Sequence, residues 1–271
     1  MKKTVRIIAI ALLIATCFMT PAQAQRKVLN YLPKYEQEPY HFGFLLGFNE
    51  MMYTIRTVED YQNIQYAPST WPMGPVSGET TQSISVYNIE SDIMPGFTVG
   101  IIGSKRLGKY CDLRLIPTLS FADRNISYTI AVKDYNGNVR FDTINNKPIF
   151  TTFVEFPLHL KYRSKRFNNV GAYLVGGVNP KIDLASQKSN KATDASGNEY
   201  INNLVTRRFD CAFEVGAGFD IYNQWFKMGI EIKMSYGMLD IVKRNDTQNL
   251  IYDAPIQKLS NKTFLVSFLF E

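Results

Sequence analysis

The 271-residue chain is 45% hydrophobic and 20% charged, with 30 Lys and Arg against 24 Asp and Glu and a formal net charge of +6. Removing the two lysines and one arginine of the first 24 residues leaves 6 − 3 = +3, too little to point to nucleic acid. Of the three cysteines, Cys17 lies in that leader. Cys111 and Cys211 read as small apolar residues on an outer face, at opposite ends of the barrel derived below, and not as a disulfide or a metal pair.

The leader has Lys2, Lys3 and Arg6, an apolar run from Ile7 to Met19, and Ala22-Gln23-Ala24. That is the layout of a secretory signal, residues 1–24, cut after Ala24. A lipoprotein signal ending at Cys17 is the rival, and it would want a small residue where Thr16 stands. The apolar run falls short of the ~18 to 20 residues that span a membrane. Nothing later reaches that length, so a mature protein in a membrane would cross it as strands. Gln25 to Pro39 has mixed charge, two prolines and no clear period, and reads as an irregular N-terminal arm over residues 25–39.

From residue 40 to 271 a period of two recurs, the signature of strands with one apolar face. Tyr40 to Asn49 sets Tyr40, Phe42, Phe44, Leu46 and Phe48 against His41, Gly43, Leu45, Gly47 and Asn49. Gly96 to Ser104, Cys111 to Phe121, Thr151 to Arg163, Gly171 to Asn179, Phe209 to Ile221, Phe226 to Gly237 and Thr263 to Phe270 follow, which makes eight strands. Thr151 to Arg163 is the clearest, with Val154, Phe156, Leu158, Leu160 and Tyr162 opposite Glu155, Pro157, His159, Lys161 and Arg163. Most are close to the ~9 to 11 residues of a tilted membrane strand.

Connection lengths alternate as in an outer-membrane barrel with both ends in the periplasm. The long ones are Arg56 to Met94, Ala122 to Ile149, Pro180 to Arg208 and Leu239 to Lys262; Lys105 to Tyr110, Ser164 to Val170 and Tyr222 to Trp225 are short. In the second long one, Ile126 to Val132 and Val139 to Ile144 flank Asn136-Gly137, a hairpin signal that carries two strands beyond the membrane. The others, especially Pro68 to Pro75 and Ser186 to Asn198, read as irregular.

A soluble lipocalin-like barrel would turn the apolar face inward. Glycine argues against it. Gly43, Gly47, Gly96, Gly100, Gly216, Gly218, Gly229 and Gly237 all fall on the polar face, and an eight-stranded lumen needs small residues opposite long charged ones. The fold class read here is therefore all-β: an eight-stranded antiparallel transmembrane β-barrel with long extracellular loops and short periplasmic turns. Pro117 and Pro157 each remove a ladder hydrogen bond, and a bulge or register shift is expected at each.

L-P-K-Y and H-F-G-F-L-L-G-F-N within Leu32 to Asn49, L-G-K-Y-C-D-L-R-L-I-P-T-L-S-F at Leu107 to Phe121, E-F-P-L-H-L-K-Y-R-S-K-R at Glu155 to Arg166, and the terminal F-L-V-S-F-L-F-E carry a resemblance. The chain resembles the PorT (SprT-like) family, outer-membrane barrel proteins of the Bacteroidetes type IX secretion system. That resemblance covers essentially the whole mature chain and implies a role in exporting proteins with a C-terminal secretion signal, including gliding-associated export. It supplies no assigned functional residues.

Inward charges at Asp112, Arg114, Glu155, Lys161, Arg163, Glu214, Glu231 and Lys233, with Asp220 and Lys227, could line a pore. In so narrow a lumen they read instead as a buried ion-pair network filling the barrel. His41 and His159 point inward without the further ligands a metal needs, and no outward histidine accompanies a serine as a lipase would require. No catalytic residue, metal or cofactor is therefore expected, and no small-molecule substrate or nucleic-acid partner. Ser104-Lys105-Arg106 and Ser164-Lys165-Arg166 repeat a basic tripeptide in two periplasmic turns. Lys105, Arg106, Lys165 and Arg166 could dock an acidic partner, such as another secretion component, or could snorkel to lipid headgroups. Two functions stay open: a non-enzymatic secretion component working through arm and turns, and a small adhesin or receptor barrel working through its extracellular loops.

Overall fold

In the computed structural model the described residues are 29–67, 81–145, 149–185, 191–193, 199–201, 204, 206–244 and 250–271. The assigned signal, residues 25–28 of the arm and the Pro68 to Pro75 stretch lie outside them. Tyr31–Glu271 form a unit of their own, apart from Met1–Asn30, and the description below concerns that unit.

Alternation builds the strands β1 (Tyr40–Thr57), β2 (Thr81–Asp92), β3 (Met94–Arg106), β4 (Cys111–Leu115), β5 (Thr118–Asp134), β6 (Val139–Asn145), β7 (Ile149–Glu155), β8 (Leu158–Arg163), β9 (Val170–Asp183), β10 (Lys191–Thr193), β11 (Glu199–Ile201), β12 (Phe209–Tyr222), β13 (Lys227–Gly237) and β14 (Ile256–Phe270). β1 pairs with β3, β3 with β4 and β5, these with β8 and β7, and both of those with β9. From there β9 pairs with β12, β12 with β13, β13 with β14, and β14 with β1. The pairings close into an antiparallel ring. Since β4/β5 and β7/β8 each act as one wall strand, the ring has eight. Closure leaves no row of unpaired backbone groups facing hydrocarbon, where each would cost several kcal/mol.

The outer face is apolar along the wall. On β1 the outward Tyr40, Phe42, Phe44, Leu46 and Phe48 are all exposed, with Phe42 at 75%, and Glu50 ends the run. Phe44 stacks on Phe270 of β14 at 5.0 Å and Phe97 of β3 on Phe121 of β5 at 4.8 Å. Cys111 opens β4 and Cys211 lies near the start of β12, both free and half-buried.

The prolines interrupt the wall without the bulge or register shift expected of them. Leu115 opposes Leu158 and Thr118 opposes Glu155, so both residue sums are 273 and the register carries straight through Pro117 and Pro157. Each proline keeps its acceptor: Ile101 N donates to Pro117 O at 3.0 Å and Ile116 N to Pro157 O at 3.1 Å. Only the missing N–H is lost, which costs one bond and no residue.

Above the lipid belt several strands run on, and the inward face changes character. Along β5 it reads Thr118, Ser120, Ala122, Arg124, then Ile126, Tyr128, Ile130 and Val132, every one buried. β2 and β6 flank this upper half of β5, and the three strands cover an apolar cluster that includes Tyr53, Ile84, Val86, Tyr128, Tyr252 and Leu259. Asn136-Gly137 does make the β5–β6 turn, Gly137 having φ +84°, a left-handed conformation that glycine adopts at no steric cost. Three connections read as irregular are not so throughout, and Leu239 to Lys262 is one, since it holds a short helix at Leu250–Asp253 and the start of β14 at Ile256. Arg56 to Met94 is not irregular throughout, because β2 lies inside it; Ser83-Ile84-Ser85-Val86 alternates, but the register shift between Val86 and Asn88 breaks the period. Ser186 to Asn198 likewise contains β10, which pairs with β11.

The barrel proper and this extracellular head therefore stand on different cores. Tyr128 packs edge-on against Tyr252 at 5.4 Å and donates its hydroxyl to Tyr252 O at 2.9 Å. Tyr128→Ala removes both and should cost about 3–5 kcal/mol locally. The expected outcome is proteolytic cleavage near residues 250–256 with the faster migration of the unboiled barrel unchanged; loss of that gel shift would show that the head and barrel unfold together.

Candidate functional site

An eight-stranded ring is just wide enough for side chains to fill, and this one is filled asymmetrically. β14, β1 and β3 contribute mainly small or apolar inward residues such as Leu45, Thr98, Ile102, Ser267 and Leu269. β8, β9, β12 and β13 contribute long charged ones that reach across. Gly218 shows the fit: a Cβ there would lie 2.6 Å from the Tyr173 ring. That ring sits between two cations, with Lys161 Nζ 3.7 Å and the Arg114 guanidinium carbon 5.5 Å from its centroid.

All ten inward charges named from the sequence point into the lumen, where they are buried. Arg114 meets Glu231 at 2.8 Å, Arg163 meets Asp112 at 2.7 Å, Lys161 meets Asp220 at 2.6 Å, and Lys233 meets Glu214 at 3.0 Å. His159, 0% exposed, places its Nε2 2.7 Å from Glu214 Oε2, the same oxygen that Lys233 meets. Glu155 has no cation partner among the described residues; it accepts from Asn179 Nδ2 at 2.8 Å, and that amide also donates to Glu214 at 2.7 Å. Nearby, Thr98, Ser120, Glu155, Lys181, Lys233 and Ser235 help to line a cavity of about 10 Å³, room for a single water. A conduit is not what this packing makes. The described residues hold no group of His, Cys, Asp and Glu arranged for a metal ion.

Several members of the column were missed in the sequence. Arg124 bonds Asp183 at 2.7 Å and Asn261 at 2.5 Å, and Asn261 bonds Asp210 at 2.7 Å. Asp183 and Lys181 fell into a long connection because strand detection stopped at Asn179, although alternation continues through Pro180. Glu271, the last residue, closes the lower end by pairing with Lys227 and lying 3.8 Å from Arg114.

At that lower end lies the arm, of which Tyr31 to Pro39 is built against the barrel mouth. One turn of 3-10 helix, Tyr35–Gln37, lowers Tyr35 into the opening. Its hydroxyl donates to Glu271 at 3.1 Å, its carbonyl lies 2.8 Å from His41 Nε2, and its ring stacks on His41 at 4.1 Å. Burial, reinforced by the Glu271 carboxylate, holds the Tyr35 phenol well above its ordinary pKa, so it remains a neutral donor. Tyr222 donates to Glu36 at 3.0 Å.

The four basic turn residues divide into two pairs. Arg106 donates to Gln37 O at 3.0 Å, and Arg166 donates to Tyr31 O and, at 3.3 Å, to Leu32 O while stacking over Tyr222 at 3.9 Å. Leu32 has φ +47°, a left-handed conformation costing roughly 1–2 kcal/mol in a side-chain-bearing residue, which the charge-assisted bonds from Arg166 offset. Lys105 and Lys165 remain exposed beside the docked arm.

Closed, lipid-faced outside and charge-filled inside, the ring is a membrane-spanning β-barrel of the outer-membrane type. Residues 22–243 match the family described as outer membrane protein beta-barrel domain, and the chain belongs to that family; the protein is an integral outer-membrane protein. Two solved structures are similar to it: Neisserial surface protein A, 10% identical over 86% of this chain and 98% of that one with a TM-score of 0.38, and the outer membrane protein OprG from Pseudomonas aeruginosa, 10% identical over 86% and 96% with a TM-score of 0.35. No curated protein matches the chain.

Two measurements probe this site. Arg114→Ala strands Glu231 and should cost about 3–5 kcal/mol, whereas Arg114→Met with Glu231→Leu should restore most of it, because a well-packed apolar pair of similar volume avoids the desolvation penalty; urea unfolding in detergent reads both. For the arm, Tyr35→Ala with Arg166→Ala should expose residues 31–39 to protease in the folded barrel, and resistance equal to the parent would show that the arm is held by other contacts.

Proposed function

We propose that the protein is a non-enzymatic component of a type IX protein secretion machine, and that it acts through protein–protein contacts at its periplasmic end. The observation that carries this reading is the docked arm. A lumen filled with ion pairs offers cargo no passage, while the mouth bears a docked arm flanked by the exposed cations Lys105 and Lys165. A composite surface of that kind suits a binding partner with acidic character, because charge complementarity sets orientation and encounter rate. The sequence runs resembling the PorT (SprT-like) family include the L-P-K-Y at the arm's own turn and the second basic turn, Ser164-Lys165-Arg166, which supports the same reading. Arg106 and Arg166 serve it indirectly, by holding the arm.

An adhesin or receptor barrel is the second reading, and the extracellular head favours it: a three-stranded sheet over its own apolar core is a stiff platform for contacts outside the cell.

Deletion of the gene followed by fractionation separates the two, since a secretion component leaves substrates retained in the periplasm and an adhesin does not. Within the first reading, Lys105→Glu with Lys165→Glu should cut secretion sharply while the barrel still shows its heat-modifiable gel shift, because exposed turn charges contribute little to stability. Replacing the same lysines by Ser should give a milder, salt-sensitive defect. Normal secretion in the double Glu variant would remove the turns from the working surface.

A further inference from the structure

The outer wall of β1 and β14 carries a set of cations that neither the barrel nor the head uses. Register places Arg56 directly opposite Lys258, and Lys262 opposite Met52 and, on its other side, opposite Tyr236 of β13. Since Met51 and Tyr53 are buried inward and Leu259 and Asn261 likewise, alternation turns Arg56, Lys258 and Lys262 outward. Two cations directly opposite on one sheet face repel and destabilise the pair. No carboxylate relieves them: among the described residues none of the three makes an ion pair. Lys258 Nζ donates to Met238 O at 2.9 Å, and Lys262 Nζ stands 5.6 Å from the Tyr236 centroid. Asp240 reaches β14 beside Lys258, accepting from Leu259 N at 3.1 Å, but its ion pair is with Arg244 at 2.7 Å, and Glu50, opposite Phe264 at the top of the belt, forms no ion pair with the three. Elsewhere the chain is careful with its charges, since the lumen cations Arg114, Lys161, Arg163 and Lys233 each meet a carboxylate.

What lies beneath the patch identifies its occupant. Directly below on the same two strands the outward face is Phe264, Val266, Phe268 and Phe270 beside Phe44, Leu46 and Phe48, continuous with the lipid belt. A ligand fitting both parts has acyl chains below and closely spaced anionic groups immediately above the hydrocarbon. We propose that Arg56, Lys258 and Lys262 form a binding site for the phosphate groups of a multiply acylated, phosphorylated glycolipid in the outer leaflet. Thr54, exposed between the two cationic levels and paired with the buried Ser260, adds a hydroxyl donor. Tyr236 supplies the amphipathic ring typical of a membrane–water boundary. An acidic protein would match the charges but not the phenylalanine column beneath them.

The test uses the refolded full chain in neutral detergent, with purified lipopolysaccharide, the same lipid after phosphatase treatment, and inorganic phosphate as probes, read by native mass spectrometry and by the shift in thermal unfolding. Lipopolysaccharide should bind and raise the unfolding temperature, the dephosphorylated form should do so much less, and millimolar phosphate should not compete. Arg56→Gln, Lys258→Gln and Lys262→Gln together should weaken binding by roughly a hundredfold, about fivefold per cation. Lys105→Gln with Lys165→Gln, at the opposite end, should leave it unchanged. The triple variant removes exposed like charges, so its unboiled gel shift should persist and confirm folding. Equal binding of the dephosphorylated lipid, equal binding by the folded triple variant, or full competition by free phosphate would each overturn the proposal. So would loss of capture of an acidic protein in the triple variant with lipid binding intact.

Discussion

The width of an eight-stranded ring governs almost everything else in this molecule. A ring that narrow cannot hold a water column once side chains turn inward, so its inner face must be packed as a core is packed, yet alternation and the lipid outside dictate that this core be polar. The solution is lopsided. One arc of the wall presents glycine, serine, threonine and a few aliphatic residues, and the opposite arc sends arginine, lysine and glutamate across into that space. Uncompensated, each buried charge would cost several kcal/mol. Carboxylates shared between two cations, as Glu271 is between Lys227 and Arg114, offset that cost and fix the rotamers of several strands at once.

Fold class, strand number and facing were legible because the medium imposes period two, and the inward glycines separated lipid outside from water outside. The ion network was legible as a set of residues and illegible as a set of pairs, since pairing crosses strands distant in sequence: Arg114 and Glu231 are 117 residues apart. Strand ends were read short. The cue used was an apolar outer face, and that cue stops where lipid stops, although β1 and β5 continue for several residues with outward polar residues and inward apolar ones. The head core went unread for the same reason, its burial being inverted relative to the barrel below. Pro117 and Pro157 suggested disruption because a ladder was imagined with a bond at every position; an antiparallel ladder uses each N–H toward one neighbour only, so a proline deletes one bond and leaves the count of residues intact.

The basic turns illustrate how composition and geometry divide a motif. Two identical tripeptides, Ser-Lys-Arg, read as four equivalent cations. In the structure the arginines, with planar forks that can satisfy several backbone carbonyls at once, are spent on the arm. The lysines, compact and well hydrated, stay in water.

Docking of the arm also has an order built into it. Tyr31 to Pro39 touches Asn169 and Arg166 in one turn, Arg106 in another, Tyr222 at the end of β12, and Glu271 just beyond β14. Arg106, Arg166, Asn169 and Tyr222 lie along one continuous arc of the wall, and Glu271 joins them only where β14 pairs with both β13 and β1. Until that pairing the cradle for Tyr35 is incomplete, however much of the wall has formed. The seated arm is thus a certificate of closure displayed at the short-turn end of the barrel, and any protein that binds the arm in this conformation distinguishes finished barrels from those still in assembly.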